Sequence, residues 1–170
     1  MDDDGGSASD AIYLLRTMQQ HHVALSSMAD AKANILIGAT LVLFALIIRE
    51  GAGVGMTIPL LILATASFVA ASLCVLAVIP SIGTPKRASA PNMLFFGSFA
   101  NYDEAEFQAK MAPILADNTT LHAAMLRDIH QLGCVLKHKK YKYLAWGYRV
   151  FIAGLAATLV AFAIDQLMQA

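Results

Sequence analysis

MTIPLLILATASFVAASLCVLAVI, residues 56–79, carries no charged side chain, and the charge-free stretch around it runs from Gly51 to Pro85. A helix needs about 20 consecutive apolar residues to cross the hydrocarbon of a bilayer, and this run exceeds that. Pro59 falls in the first turn, where a missing amide donor costs nothing, and Pro80 closes the far end. The run therefore predicts a membrane span with both helix breakers at its ends.

Working outward, Ala33 to Ile48 (ANILIGATLVLFALII) is also free of charge and lies between Lys32 and Arg49. At about 1.5 Å per residue it makes about 24 Å of helix, slightly short for a span. Lys32 makes up the difference by laying its stem along the helix and raising its ammonium to the interface. A third run, Val150 to Ile164, is extended backward by Tyr143, Leu144, Trp146 and Tyr148. These aromatic residues resemble an interfacial belt, with Arg149 as a snorkelling anchor.

A mean hydropathy of +0.59 and a 58% hydrophobic content agree with three spans. The 12 acidic and 12 basic side chains cancel, so no global charge draws the chain to nucleic acid, and none is expected as a partner. The basic residues are unevenly placed. Arg16 and Lys32 precede the first span, and Lys86, Arg87, Lys110, Arg127, Lys137, Lys139, Lys140 and Lys142 separate the second from the third, against Arg49 alone in the first connection. The positive-inside rule then makes the N-terminus cytoplasmic and the C-terminus periplasmic, in a bacterial inner membrane.

The expected organisation is all-α and integral to the membrane. Residues 1–8, rich in aspartate, form a disordered lead, and 9–32 form a cytoplasmic amphipathic helix on which Ile12, Leu15, His22, Leu25 and Ala29 recur at helical spacing. Then come a span at 33–48, a periplasmic turn at 49–55, a span at 56–79, a cytoplasmic helical region at 80–142, a span at 143–166 and a periplasmic tail at 167–170. Asn118, His122, Met125, Ile129, Leu132, Leu136, Lys139, Tyr143, Trp146 and Val150 keep a four-three spacing, one side of a long helix entering the third span. That stripe serves packing within the chain, a seam between subunits, or both. Ala66, Ser67, Ala70 and Ala71, with Ala153, Gly154, Ala157 and Ala161, supply small residues for close helix contact in lipid and favour a homo-oligomer.

Between Pro80 and Ala100 the apolar patch Met93 to Gly97 is too short to span and should dock on the cytosolic helices or lie at the membrane surface. Asn101 to Glu104 has capping-box spacing, so a short helix is expected there, interrupted near Pro113.

Few residues suggest chemistry. Gly51, Gly53 and Gly55 follow a membrane helix instead of a strand and read as a turn, not a nucleotide loop. The adjacent His21 and His22 point to different faces, whereas metal-binding histidines on one helix stand four apart, so neither metal nor cofactor is expected. Cys74 and Cys134 belong to different depths and read as free thiols. No nucleophile pairs with a base, so the chain is not expected to be an enzyme. Arg127 and Asp128 read as a solvated or intersubunit ion pair, and Lys137, Lys139, Lys140 and Lys142 as a surface for anionic lipid headgroups.

Three segments carry a resemblance: Met28 to Asn34 (MADAKAN), Asn92 to Gly97 (NMLFFG), and Arg127 to Leu136 (RDIHQLGCVL) leading to Lys140 to Leu144 (KYKYL). In this order and membrane context they resemble the Pycsar effector transmembrane family, over nearly everything from Ser9 to Met168. The resemblance implies a role in bacterial anti-phage defence. A separate nucleotide cyclase would make a cyclic pyrimidine mononucleotide, cyclic UMP or cyclic CMP, and the effector would respond by impairing the inner membrane in abortive infection. Bound to the cytosolic helices, the nucleotide would present its phosphate to Arg16, Lys32 or Arg127 and its base to Phe95, Phe96 and Tyr102. The other reading is a membrane-anchored oligomeric scaffold or regulatory subunit with no membrane-disrupting activity.

Overall fold

The structure is a computed structural model and describes residues 4–80 and 91–169. Helices α1 (Asp4–Val54), α2 (Ile58–Val78), α3 (Phe96–Phe99), α4 (Glu104–Ala116), α5 (Asn118–Val135) and α6 (Lys142–Gln169) follow in order, with a π-helical turn at Leu136–Tyr141 joining α5 to α6. No strand occurs among the described residues. Ser9–Gly53, Ile58–Val78 and Asn118–Met168 are each long and apolar enough to cross a membrane. The protein is an all-α membrane protein, as the charge-free runs require.

The chain divides into two compact units. The spanning unit comprises Ser26–Ile79 and Lys137–Ala170; the connecting unit comprises the described residues up to Leu25 and within Pro80–Leu136.

In the spanning unit, contacts fix the direction of each helix. Cys74 lies against Gly147 and Ala66 against Gly154, so α2 and α6 are antiparallel. Asp30 meets Lys140 and Leu36 approaches Gly147, so α1 and α6 run the same way. The core joins Ala29, Ala33 and Leu36 of α1, Cys74 of α2 and Leu144 of α6. A side chain at Gly154 would collide with the Ala66 methyl, and one at Gly147 would stand 2.9 Å from the Cys74 sulfur. The missing side chains let the two backbones approach closely, the usual basis of helix adhesion in lipid. These small residues pack within the chain, whereas Ala153 and Ala157 are exposed. Hydroxyls in the spans donate to carbonyls of their own helix: Thr40 to Ile37, Thr65 to Leu61, Ser72 to Phe68 and Thr158 to Gly154. These four hydroxyl hydrogens are thereby kept from lipid, while the Ser67 hydroxyl is buried without a partner.

Several bounds differ from expectation. Helix α1 begins at Asp4, within the stretch expected to be a disordered lead; acidic residues suit a helix N-terminus, where the peptide dipoles favour negative charge. It also continues to Val54, so most of the expected turn at 49–55 is helical. Only Gly55, at φ +87°, adopts the left-handed conformation that ends a helix, and Thr57 then starts α2 with Pro59 in its first turn. Helix α4 starts at Glu104 because the Asp103 carboxyl accepts from the Glu106 amide at 2.7 Å, while Asn101 donates to carbonyls of the preceding turn. Pro113 lies inside α4 without breaking it, and the helix ends three residues later. The expected features at 81–90, including Lys86 and Arg87, lie outside the described residues.

The largest correction concerns register. Met125, Ile129 and Leu136 are buried as the four-three stripe requires. Beyond Leu136, however, the buried positions are Leu144, Gly147 and Gly154, each one residue later than the series through Tyr143 and Trp146. A π-helical turn holds one residue more than an α turn, so everything after it is rotated by about one position. Trp146 is accordingly 51% exposed and carries the Arg149 guanidinium 5.4 Å from its ring centroid.

Gly154→Ala should lower the detergent-solubilised protein's thermal stability by the equivalent of about 1–3 kcal/mol, the usual cost of overpacking. Adding Ala66→Gly should restore most of it. Equal stability of Gly154→Ala and wild type would contradict the close α2–α6 contact.

Candidate functional site

Along α1, Leu15, Gln19, His22, Ser26, Ala29, Ala33, Leu36 and Thr40 are buried or half-buried and alternate four and three residues apart. Leu25, expected on this face, is 42% exposed, and Ser26 takes its place. Hydrophobicity alone misplaced the seam because four of its members are polar.

In the connecting unit, the seam meets α5 and the segment before α3. Leu15, Met125 and Ile129 form a small core against which Leu94 and Leu121 pack, so Leu94 anchors the apolar patch here while Phe96 stays exposed. Beside it lies a buried polar cluster centred on Asp128, 8% exposed. Gln19 Nε2 donates to Asp128 Oδ2 at 2.9 Å, and Asn92 Nδ2 donates to Asp128 Oδ1 at 2.9 Å and to Gln131 Oε1 at 3.0 Å. Asn92 Oδ1 accepts from the Leu94 amide at 3.0 Å, so the Asn92 carboxamide uses both donor hydrogens and its oxygen. Asp128 is therefore not a solvated ion-pair partner of Arg127; it ties three segments of chain together through two neutral amides. The half-buried His22 approaches Gly133, and its Nδ1 has no partner.

The spanning unit has its own polar cluster. Lys140 Nζ donates to both Asp30 oxygens, at 2.8 and 2.6 Å, and to Ser26 Oγ at 2.7 Å. Lys139 Nζ donates to the Ile79 carbonyl at 2.6 Å, satisfying an acceptor at the end of α2. Of the four lysines expected to face headgroups, Lys139 and Lys140 are instead engaged in the fold, and Lys137 and Lys142 are exposed. Tyr148 Oη donates to the Lys32 carbonyl at 3.1 Å.

The six residues expected to contact a nucleotide fall in both units. Lys32 belongs to the spanning unit and the other five to the connecting unit. Arg16 and Arg127 are exposed. Phe95 and the 56% exposed Phe96 lie against each other, 5.0 Å between centroids, and Tyr102 is covered by the Lys110 ammonium at 4.9 Å. Among the described residues no hydrogen bond, ion pair or ring contact joins Arg16 or Arg127 to these aromatic rings. Arg16 lines a shallow open groove with Gln19, Gln20, Val23 and Ala24.

Among the described residues, no group of three or more metal-ligating side chains is assembled. Cys74 and Cys134 are both free; exposed Cys134 has its sulfur 3.8 Å from His130 Nε2, one turn away on α5.

The model of the Pycsar effector protein domain matches residues 13–165, nearly the whole chain. The chain belongs to the Pycsar effector family. No curated protein and no solved structure matches it. Membership links this chain to cyclase-signalled defence, and the match covers both the spans and the connecting unit. The sequence did not mark Gln19, Ser26, Asp30, Asn92 and Lys140 as partners. The signal available was the four-three phase of α1, which places polar residues where apolar ones are usual.

Asn92→Ala would strand Asp128 Oδ1, Gln131 Oε1 and the Leu94 amide, at a cost of about 1–3 kcal/mol per buried unpaired group. Amide hydrogen exchange should accelerate over residues 93–99 and leave α6 unchanged. Unaltered exchange at Leu94 would show that the cluster does not hold this segment.

Proposed function

We propose that this Pycsar family member is a membrane effector of anti-phage defence that is switched on by a cyclic pyrimidine nucleotide and then impairs the inner membrane. The family match along nearly the entire chain carries the reading, and three membrane-capable helices supply the target. The chain acts as a homo-oligomer with its N-terminus in the cytoplasm and its C-terminus in the periplasm, and the lesion is mechanical, not enzymatic. A nucleotide cyclase is its functional partner, acting through the diffusible nucleotide.

The connecting unit is where cyclic UMP or cyclic CMP would bind. Arg16 and Arg127 present exposed guanidinium groups able to meet one phosphodiester charge, and Phe96 offers an exposed ring for stacking. Activation requires that the nucleotide bind the lesion-forming arrangement more tightly than the resting one, because equal affinity shifts no equilibrium.

The test uses the full chain in nanodiscs, titrated with each cyclic nucleotide, and in proteoliposomes loaded with a self-quenched dye. Binding accompanied by dye release is expected, with Arg127→Gln weakening binding by about tenfold, as loss of a charged hydrogen bond does. Binding without release would favour the scaffold reading, and absence of binding to either nucleotide would overturn direct sensing.

A further inference from the structure

The spanning unit contains an open groove of about 440 Å³ lined by Lys32, Tyr141, Leu144, Ala145 and Tyr148. Its height in the bilayer follows from the sequence. Lys32 is the last charge on α1 before the sixteen uncharged residues at 33–48, and Arg149 is the last on α6 before the uncharged run at 150–164. The bond from Tyr148 Oη to the Lys32 carbonyl places these two boundaries within one tyrosine side chain's reach of each other. The groove therefore opens where the charge-free parts of both parallel helices begin, which is the headgroup layer.

Its chemistry is that of an amphiphile's polar end. The Lys32 side chain is exposed and has no hydrogen-bond or ion-pair partner among the described residues. Lys140, one turn lower, is neutralised by Asp30, and Lys139 is bonded to the Ile79 carbonyl, so Lys32 gives the groove its charge. Tyr141 and Tyr148 flank it, and Leu144 and Ala145 make an apolar floor leading toward the spans.

We propose that this groove binds the phosphodiester headgroup of an anionic phospholipid. The Lys32 ammonium meets the phosphate, the tyrosine rings flank the glycerol, and Leu144 and Ala145 receive the first methylenes of the acyl chains. Lys32 thereby serves lipid instead of a cyclic nucleotide. The assignment rests on the membrane placement of the spans and is independent of nucleotide sensing.

The chain's single tryptophan, Trp146, adjoins the groove residue Ala145 and is exposed, so it reports on lipid at this site. The full chain in nanodiscs would be titrated with brominated phosphatidylglycerol or brominated phosphatidylcholine while tryptophan quenching is followed. Wild type should prefer the anionic lipid by about fivefold, the contribution of one lysine at a charged surface, and Lys32→Gln should remove that preference. Lys137→Gln, an exposed lysine outside the groove, should retain it. Equal quenching by both lipids in wild type, or equal losses in the two variants, would overturn the site. Relief of quenching by added cyclic UMP or inorganic phosphate would assign Lys32 to a soluble phosphate and also overturn it. Failure of cyclic nucleotides to bind anywhere, with the lipid preference intact, would count against the nucleotide reading alone.

Discussion

The ion pair between Lys140 and Asp30 is the interaction on which the spanning unit depends, and the π-helical turn makes it possible. Adjacent lysines on a helix point about 100° apart, so Lys139 and Lys140 serve different helices. Lys140 takes Asp30 and Ser26 of α1, while Lys139 takes the last carbonyl region of α2. With side-chain exposures of 17% and 35%, the pair is only partly withdrawn from water, so its value is screened and lies well below that of a fully buried pair. Its main effect is geometric: it fixes which residue of α6 follows the turn onto the seam.

That choice decides the packing beyond it. The extra residue turns Gly147 toward Cys74 and Gly154 toward Ala66, and it sends Trp146 outward to meet Arg149. An uninterrupted α-helix would present the bulky Tyr143 and Trp146 to the seam, and two backbones could not then come as close as the glycines permit. The contact of α2 with α6 at Gly147 and Gly154 thus depends on an irregularity that ends about two to four turns before it.

How much of this the sequence disclosed follows from which signals are local. The spans could be read because absence of charge over a bilayer thickness has one physical explanation, and Pro59 marked the start of α2 to within a turn. The register of α6 could not, because Leu136 to Tyr141 carries no glycine or proline to announce a π turn, and hydrophobic spacing continues through it in a false phase. The buried amides around Asp128 escaped notice for a related reason: Gln19, Asn92 and Gln131 are far apart in the chain and individually unremarkable. Family membership was legible because MADAKAN, NMLFFG and RDIHQLGCVL are specific in combination. Their residues nonetheless divide between the two units, and Lys32 lines a groove with Tyr141 and Tyr148 within the spanning unit.

Register in the spanning unit is open to a direct measurement. A side chain at position 147 would begin 2.9 Å from the Cys74 sulfur, close to the roughly 3 Å that separates a β-carbon from the distal sulfur across a disulfide. In membranes from cells making the full chain with Cys134→Ser, Gly147→Cys should cross-link to native Cys74 on treatment with a membrane-permeant oxidant, seen as two fragments held together after cleavage between them. Trp146→Cys should not. Cross-linking of Trp146→Cys in place of Gly147→Cys would show that α6 enters the membrane without the extra residue, and the packing described for the three spans would be wrong.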